Sequence, residues 1–74
     1  MKPKLRPVDD SAAIAALGYD EDAEELYVQW ASGDIYVYAG VPPLVYRILM
    51  NEESKGGYVN KMIKPRYQFR EVWD

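Results

Sequence analysis

Ser54-Lys55-Gly56-Gly57, followed closely by Asn60, Lys61, Lys64 and Arg66, is the stretch of this 74-residue chain best suited to holding a ligand. The chemistry it suggests is anion binding. Ser54 stands where an N-cap belongs, and the two bare glycines fall in the first turn of the helix it would start. Unpaired N–H groups there point outward, the helix dipole favours negative charge, and glycine lets a phosphate approach the backbone. The plainer account of the same glycines is structural. Glycine early in a helix costs stability relative to alanine, and close approach of another segment or a sharp turn between helices is reason enough to keep it. The segment is not a nucleoside-triphosphate loop, because G-x-x-x-x-G-K-[ST] is absent.

Magnitudes limit what such a site can do alone. A helix terminus contributes about 0.3–1 kcal/mol at an exposed position, whereas a micromolar complex requires roughly 8 kcal/mol. The difference must come from cationic contacts and from bases stacking on aromatic rings at about 1–3 kcal/mol each. Tyr36, Tyr38, Tyr58 and Tyr67 are the candidate stacking rings. Each also has a plainer role, since tyrosines in so small a chain serve as core residues.

Other chemistry is poorly supplied. The chain has neither cysteine nor histidine, so it lacks thiolate nucleophiles and ligands, disulfides, the usual general base and the commonest zinc ligand. The acidic run Asp20-Glu21-Asp22-Ala23-Glu24 lacks the D-x-D-x-D-G spacing that wraps calcium, and it reads as a solvated turn. No metal, cofactor or catalytic residue is expected, and the chain is not expected to be an enzyme. No apolar run approaches the ~20 residues of a membrane span, and the basic Lys2–Arg6 start has no hydrophobic region after it. A soluble, cytoplasmic protein without a membrane partner is the expectation. Its net charge of −3 hides an asymmetry: from Asp9 to Asp34 there are eight acidic residues and no Lys or Arg, while from Arg47 to Arg70 six basic residues face Glu52 and Glu53. A solvated acidic surface explains this simply; a basic half that meets a phosphate-bearing partner is the sharper reading.

The elements that must position these residues centre on Leu26–Tyr46. Leu26, Val28 and Trp30 alternate with Tyr27 and Gln29, and Ile35 and Val37 alternate with Tyr36 and Tyr38, which predicts two strands. Ser32-Gly33 between them is hairpin chemistry. A two-residue loop would pair Trp30 with Ile35 and put the tyrosines on the opposite face. A three-residue Ala31-Ser32-Gly33 loop, with Gly33 as a left-handed bulge residue, would set Tyr36 and Tyr38 beside Val28 and Leu26. The position of Gly33 favours the second. Val41-Pro42-Pro43 then opens a helix whose Leu44, Val45, Ile48 and Leu49 form a stripe toward the sheet, bordered by Tyr46 and Met50. A second short helix follows Ser54, with Tyr58, Val59, Met62 and Ile63 apolar, and ends at Pro65. Ser11–Tyr19 is ambiguous by composition, because its alanines favour helix.

The run L-x-V-x-W-x-S-G-x-x-Y-x-Y over Leu26–Tyr38, Val41-Pro42, and S-x-G-x-Y-x-N over Ser54–Asn60 occur in the order found in the KTSC family, which this chain resembles from about Ser11 to Tyr67. That family is a short domain found at the C-terminus of some lysyl-tRNA synthetases and as a free-standing small protein. The resemblance implies that Ser11–Tyr19 is the first strand of a meander, with Ile14 and Ala16 on one face and Ala15 and Leu17 on the other. It also suggests RNA binding, through the attachment to a synthetase. Trp30, where phenylalanine is common, and Asp10-Ser11, where a Ser pair is usual, depart from the pattern.

The expected architecture is α+β: a three-stranded antiparallel β-meander followed by two short α-helices packed on one face. Residues 1–10 are expected to be a flexible or extended arm, 11–67 a single domain, and 68–74 a tail or an edge strand, with the tail favoured. At this length roughly 60% of the unfolded surface can be buried, so aromatic packing must contribute heavily. The expected function is a non-catalytic binding module, with RNA held on the Ser54–Arg66 segment. The alternative is a protein–protein adaptor or phage-type accessory protein that binds no nucleic acid.

Overall fold

The computed structural model describes residues 3–9 and 11–72; Met1, Lys2, Asp10, Trp73 and Asp74, which belong to the expected arm and tail, lie outside them. The fold is α+β, with a meander of five strands rather than three: β1 (Arg6–Pro7), β2 (Ile14–Asp20), β3 (Glu25–Trp30), β4 (Ile35–Ala39) and β5 (Phe69–Val72), in sheet order 1-2-3-4-5 and antiparallel throughout. Helix α1 (Pro43–Met50) and helix α2 (Lys55–Tyr58) lie in the connection from β4 to β5, and α2 widens into a π-helical turn over Val59–Ile63.

The two additional strands come from the ends of the domain, where the sequence carries the weakest pattern. Arg6 pairs with Leu17 and Pro7 with Ala16, and the Val8 N–H donates to the Ala15 carbonyl. Proline is tolerated there because β1 is an edge strand. At the opposite edge, Phe69–Val72 runs beside Ile35–Tyr38, so of the two forms expected for this segment it takes the edge strand and not the favoured tail.

The hairpin adopts the bulged register. Leu26 lies opposite Tyr38 and Val28 opposite Tyr36, the Trp30 N–H reaches the Asp34 carbonyl, and Gly33 takes φ +101°. Tyr36 and Tyr38 therefore share the sheet face covered by the helices. On that face Ile14, Leu17, Leu26, Val28 and Tyr38 pack with Val41, Leu49, Val59 and Ile63, all essentially inaccessible to solvent. The far face carries a smaller cluster of Tyr27, Ile35 and Val37, closed over by Leu5 and Val72.

Two expectations about facing are corrected. A β-bulge between Ile14 and Ala16 adds a residue to β2, so Ile14 joins Leu17, rather than Ala16, on the helix side. An inserted residue inverts the alternation on one side of it. In α1 the inward stripe is turned by one residue: Val45, Tyr46, Leu49 and Met50 meet the core, while Leu44 is 60% and Ile48 39% exposed. Val41 sets the rotation, because it is fully buried and its N–H is tied to the Glu24 carbonyl just before the helix begins.

Gly33 has open space around the position of a Cβ, so an added side chain would meet only backbone strain. Gly33→Ala should cost about 1–2 kcal/mol, the penalty for a left-handed L-residue, lowering the urea midpoint with the m-value unchanged. Tyr38 supplies a second test. Its hydroxyl is buried without a hydrogen-bond partner, and burial, aided by the neighbouring Tyr36 phenol, pushes its pKa up to about 12. The unfolded chain loses this proton first, near pH ~10. Stability thus declines as pH rises from there toward about 12, by at most roughly 2.7 kcal/mol for a two-unit shift. Tyr38→Phe should remove that part of the alkaline loss, measured by urea unfolding at pH 7 and pH 11. At pH 7 it should change stability by less than about 1 kcal/mol, since the hydroxyl it deletes is unpaired.

Candidate nucleic-acid interface

Ser54 caps α2 as its sequence position suggests: its Oγ accepts from the Gly57 N–H at 3.2 Å, and its carbonyl accepts from Tyr58. That bond occupies one of the amides proposed for an anion. Gly56 is buried, and a Cβ there would lie 3.0 Å from Ser11 Oγ and 3.4 Å from the Ala13 Cβ. Close approach of the segment entering β2 is therefore the reason for Gly56, and the glycines do not form an open phosphate cradle. The α-helical part is four residues long before the π-turn, where Lys64 N–H bonds to the Val59 carbonyl, so little aligned dipole stands behind it.

The side chains of the segment remain. Lys55 donates to the Glu52 carbonyl at 3.1 Å. Asn60, Lys61, Lys64 and Arg66 are exposed. Lys64 extends over the Trp30 ring, its Nζ 4.8 Å from the centroid. A cation–π contact of this kind holds the ammonium near the surface without neutralising it.

The candidate stacking tyrosines separate clearly. Tyr38 is fully buried and cannot stack on a ligand. Tyr58 and Tyr67 are half-buried against the main core. Tyr36 is half-buried, edge-on to Trp30 at 6.2 Å, and stacked on Phe69 at 4.6 Å with 15° between ring planes. Phe69 is 55% exposed and also touches the Tyr38 ring, 5.6 Å away. The rings thus run in a line, Phe69–Tyr36–Trp30, that ends beneath Lys64. Sequence reasoning missed Phe69 because it favoured a tail over an edge strand for that segment. Its pairing opposite Tyr38, which puts it on the helix side, is the feature that brings it to the others.

Trp30 and Lys64 stand at one end of the sheet, where Ile14 pairs with Trp30, and the line of rings runs inward from that end to Phe69, level with Tyr38, Leu26 and Tyr19. The acidic turn 20–24 lies at the other end, beyond the Asp20–Glu25 pair. Among the described residues no group of three or more Asp or Glu could hold a metal ion, and no helix is long and apolar enough to cross a membrane.

Comparison with known proteins agrees with the fold. A model of the KTSC domain matches residues 10–67. A protein of Tsukamurella paurometabola is 41% identical over 64 residues, covering 86% of this chain and 94% of its relative. A lysine–tRNA ligase of Nostoc punctiforme is 34% identical over 70 residues; the match takes in 95% of this chain but 12% of the ligase. The crystal structure of a KTSC domain protein from Yersinia pestis superimposes with a TM-score of 0.91 at 30% identity, covering 97% of this chain and 100% of that one. The five-stranded sheet, the helical connection and the order of the motifs are thus those of a recognised domain, and this chain belongs to the KTSC family.

Proposed function

We propose that this domain is a non-catalytic module that binds single-stranded RNA on the surface made by Phe69, Tyr36, Trp30, Lys61, Lys64 and Arg66. The observation that carries this reading is Phe69: a large apolar ring, more than half exposed, stacked on one tyrosine and continuous with a tryptophan that lies under an ammonium. Bases stack on such rings with little sequence preference while cations track the backbone. The relatives that are lysine–tRNA ligases add support, since an enzyme that handles RNA is a natural carrier of such a module.

The energetics fit a weak, salt-sensitive complex. One or two stacked bases at about 1–3 kcal/mol each, with a few phosphate contacts, reach micromolar affinity only at low salt. An overall charge of −3 works against anything tighter.

A second reading rests on Leu44 and Ile48, one turn apart on the outer side of α1 and both exposed. These would anchor a protein partner in the adaptor reading. Salt separates the two. Binding of a single-stranded oligonucleotide should weaken with a log–log slope of about −0.7 per phosphate contacted, whereas docking on apolar anchors depends far less on salt.

In the RNA reading Phe69→Ala should lower oligonucleotide affinity roughly tenfold or more, and Lys64→Ala should flatten the salt slope by about 0.7. Fluorescence anisotropy across a salt series measures both, and amide spectra of the variants check that the fold is intact. Absence of shifts at Trp30, Tyr36, residues 61–66 and Phe69 on adding oligonucleotide at low salt would end this reading. Shifts confined to Leu44 and Ile48 on adding a protein would favour the adaptor.

A further inference from the structure

A second surface, at the opposite edge of the sheet, has the makings of a binding site. Between β1, the end of β2 and α1 lies an open groove of about 800 Å³, within the roughly 300–1,000 Å³ usual for small-molecule sites. Lys4, Arg6 and Arg47 line it, and none of them forms an ion pair among the described residues. These three cations come from two distant parts of the sequence, so they meet only because β1 closes the sheet edge beside α1.

The wall of the groove is aromatic. Tyr19 and Tyr46 stack face to face there, centroids 4.7 Å apart and planes within 10°. The Tyr19 hydroxyl donates to the Val41 carbonyl, which fixes that ring against the start of α1. Burial raises the pKa of the Tyr46 phenol and the Arg6 charge opposes the rise, so the ring keeps a neutral hydroxyl in the groove that Arg6 also lines. Glu21, from the acidic turn, completes the lining.

The mixture of charges narrows the ligand. A site for inorganic phosphate alone gains nothing from a carboxylate. A ligand that carries both an anionic group and hydroxyl or amino donors uses all of it. Guanidinium forks suit phosphate oxygens, tyrosine rings suit a planar base at an edge or an outer face, and a carboxylate suits a ribose diol. We infer that this groove binds a nucleoside monophosphate, with the phosphate on Arg6, Arg47 and Lys4, the base along the Tyr19–Tyr46 wall and Glu21 accepting from the ribose. The site is separate from the Phe69 surface and does not depend on the RNA reading. The same chemistry is offered by a free nucleotide or by the phosphorylated 5′ end of a strand.

The test is an amide NMR titration of the whole chain with AMP, adenosine, inorganic phosphate, and short oligonucleotides bearing either a 5′-phosphate or a 5′-hydroxyl. AMP at millimolar concentration should shift Arg6, Gly18, Tyr19, Glu21 and Arg47, and adenosine and inorganic phosphate should each bind at least tenfold more weakly. Arg47→Ala, at an exposed helix position, should weaken AMP about tenfold while leaving the amide spectrum otherwise unchanged. Glu21→Gln should narrow the gap between AMP and inorganic phosphate. Groove shifts with the 5′-phosphorylated strand but not with AMP would assign the site to strand ends and still support it. If neither ligand moves these amides, or if Arg47→Ala leaves affinity unchanged, the inference is overturned. Shifts confined to Trp30, Tyr36, Lys64 and Phe69 would overturn it too, while leaving the RNA reading standing.

Discussion

The pairing of Val28 with Tyr36 and of Leu26 with Tyr38, held by a loop that turns on Gly33, decides what each side of this sheet is for. A shift of one residue would carry both tyrosines to the far face and bring Ile35 and Val37 under the helices. The consequences go beyond packing. With Tyr38 at the centre of the helix-side core, Tyr36 sits at its margin, and only from that margin can it receive Phe69 on one flank and Trp30 on the other. The positive φ of one glycine thus determines both the interior of the domain and the line of rings at its edge.

A chain this short has little interior to spare, and its terminal segments supply what a three-stranded sheet would lack. Val37 is inaccessible and Tyr27 nearly so, although no helix covers their face. Leu5 and Val72, each carried by a terminal strand or its approach, pack on them instead. Leu5 can do so because Gly18 has no side chain: a Cβ there would lie 2.7 Å from the Leu5 Cδ2 and 3.1 Å from the Lys4 carbonyl oxygen. Residues that look like an arm and a tail in the sequence therefore close over the second, smaller core.

Much of this was legible in the sequence, and the remainder was not for identifiable reasons. Period-two alternation and a well-placed glycine are local signals, and they specify β3, β4 and their register. The Ser54 cap is local too. By contrast, the bulge in β2 depends on Trp30 claiming a place opposite Ile14, and nothing in an alanine-rich run announces it. The rotation of α1 is fixed by a hydrogen bond from Val41 to Glu24, and Leu44 looks no less apolar than Val45. Gly56 carried two meanings, and only the approach of Ser11 and Ala13 chooses between them. Phe69 and the Lys4–Arg6–Arg47 groove depend on terminal strands, whose pairing brings together residues that no spacing rule connects.

That dependence also explains how an apolar ring can remain exposed at the sheet edge. Strand β5 does not rely on burying Phe69 to hold its place. Its main chain pairs with β4, the Ala39 N–H donates to the Gln68 carbonyl at 2.9 Å, and Val72 packs on the far face. Arg70, on that same far side, forms a two-pronged bridge to Glu25 with N–O distances of 2.9 and 3.3 Å. Such an exposed pair is worth less than about 1 kcal/mol, so the backbone ladder and Val72 bear most of the anchoring. The strand alternates accordingly, with Arg70 and Val72 fastening it from one side while Phe69 faces the other. A position fixed by its neighbours is free of the demand to stabilise, which is the condition under which a large apolar ring can stay at the surface.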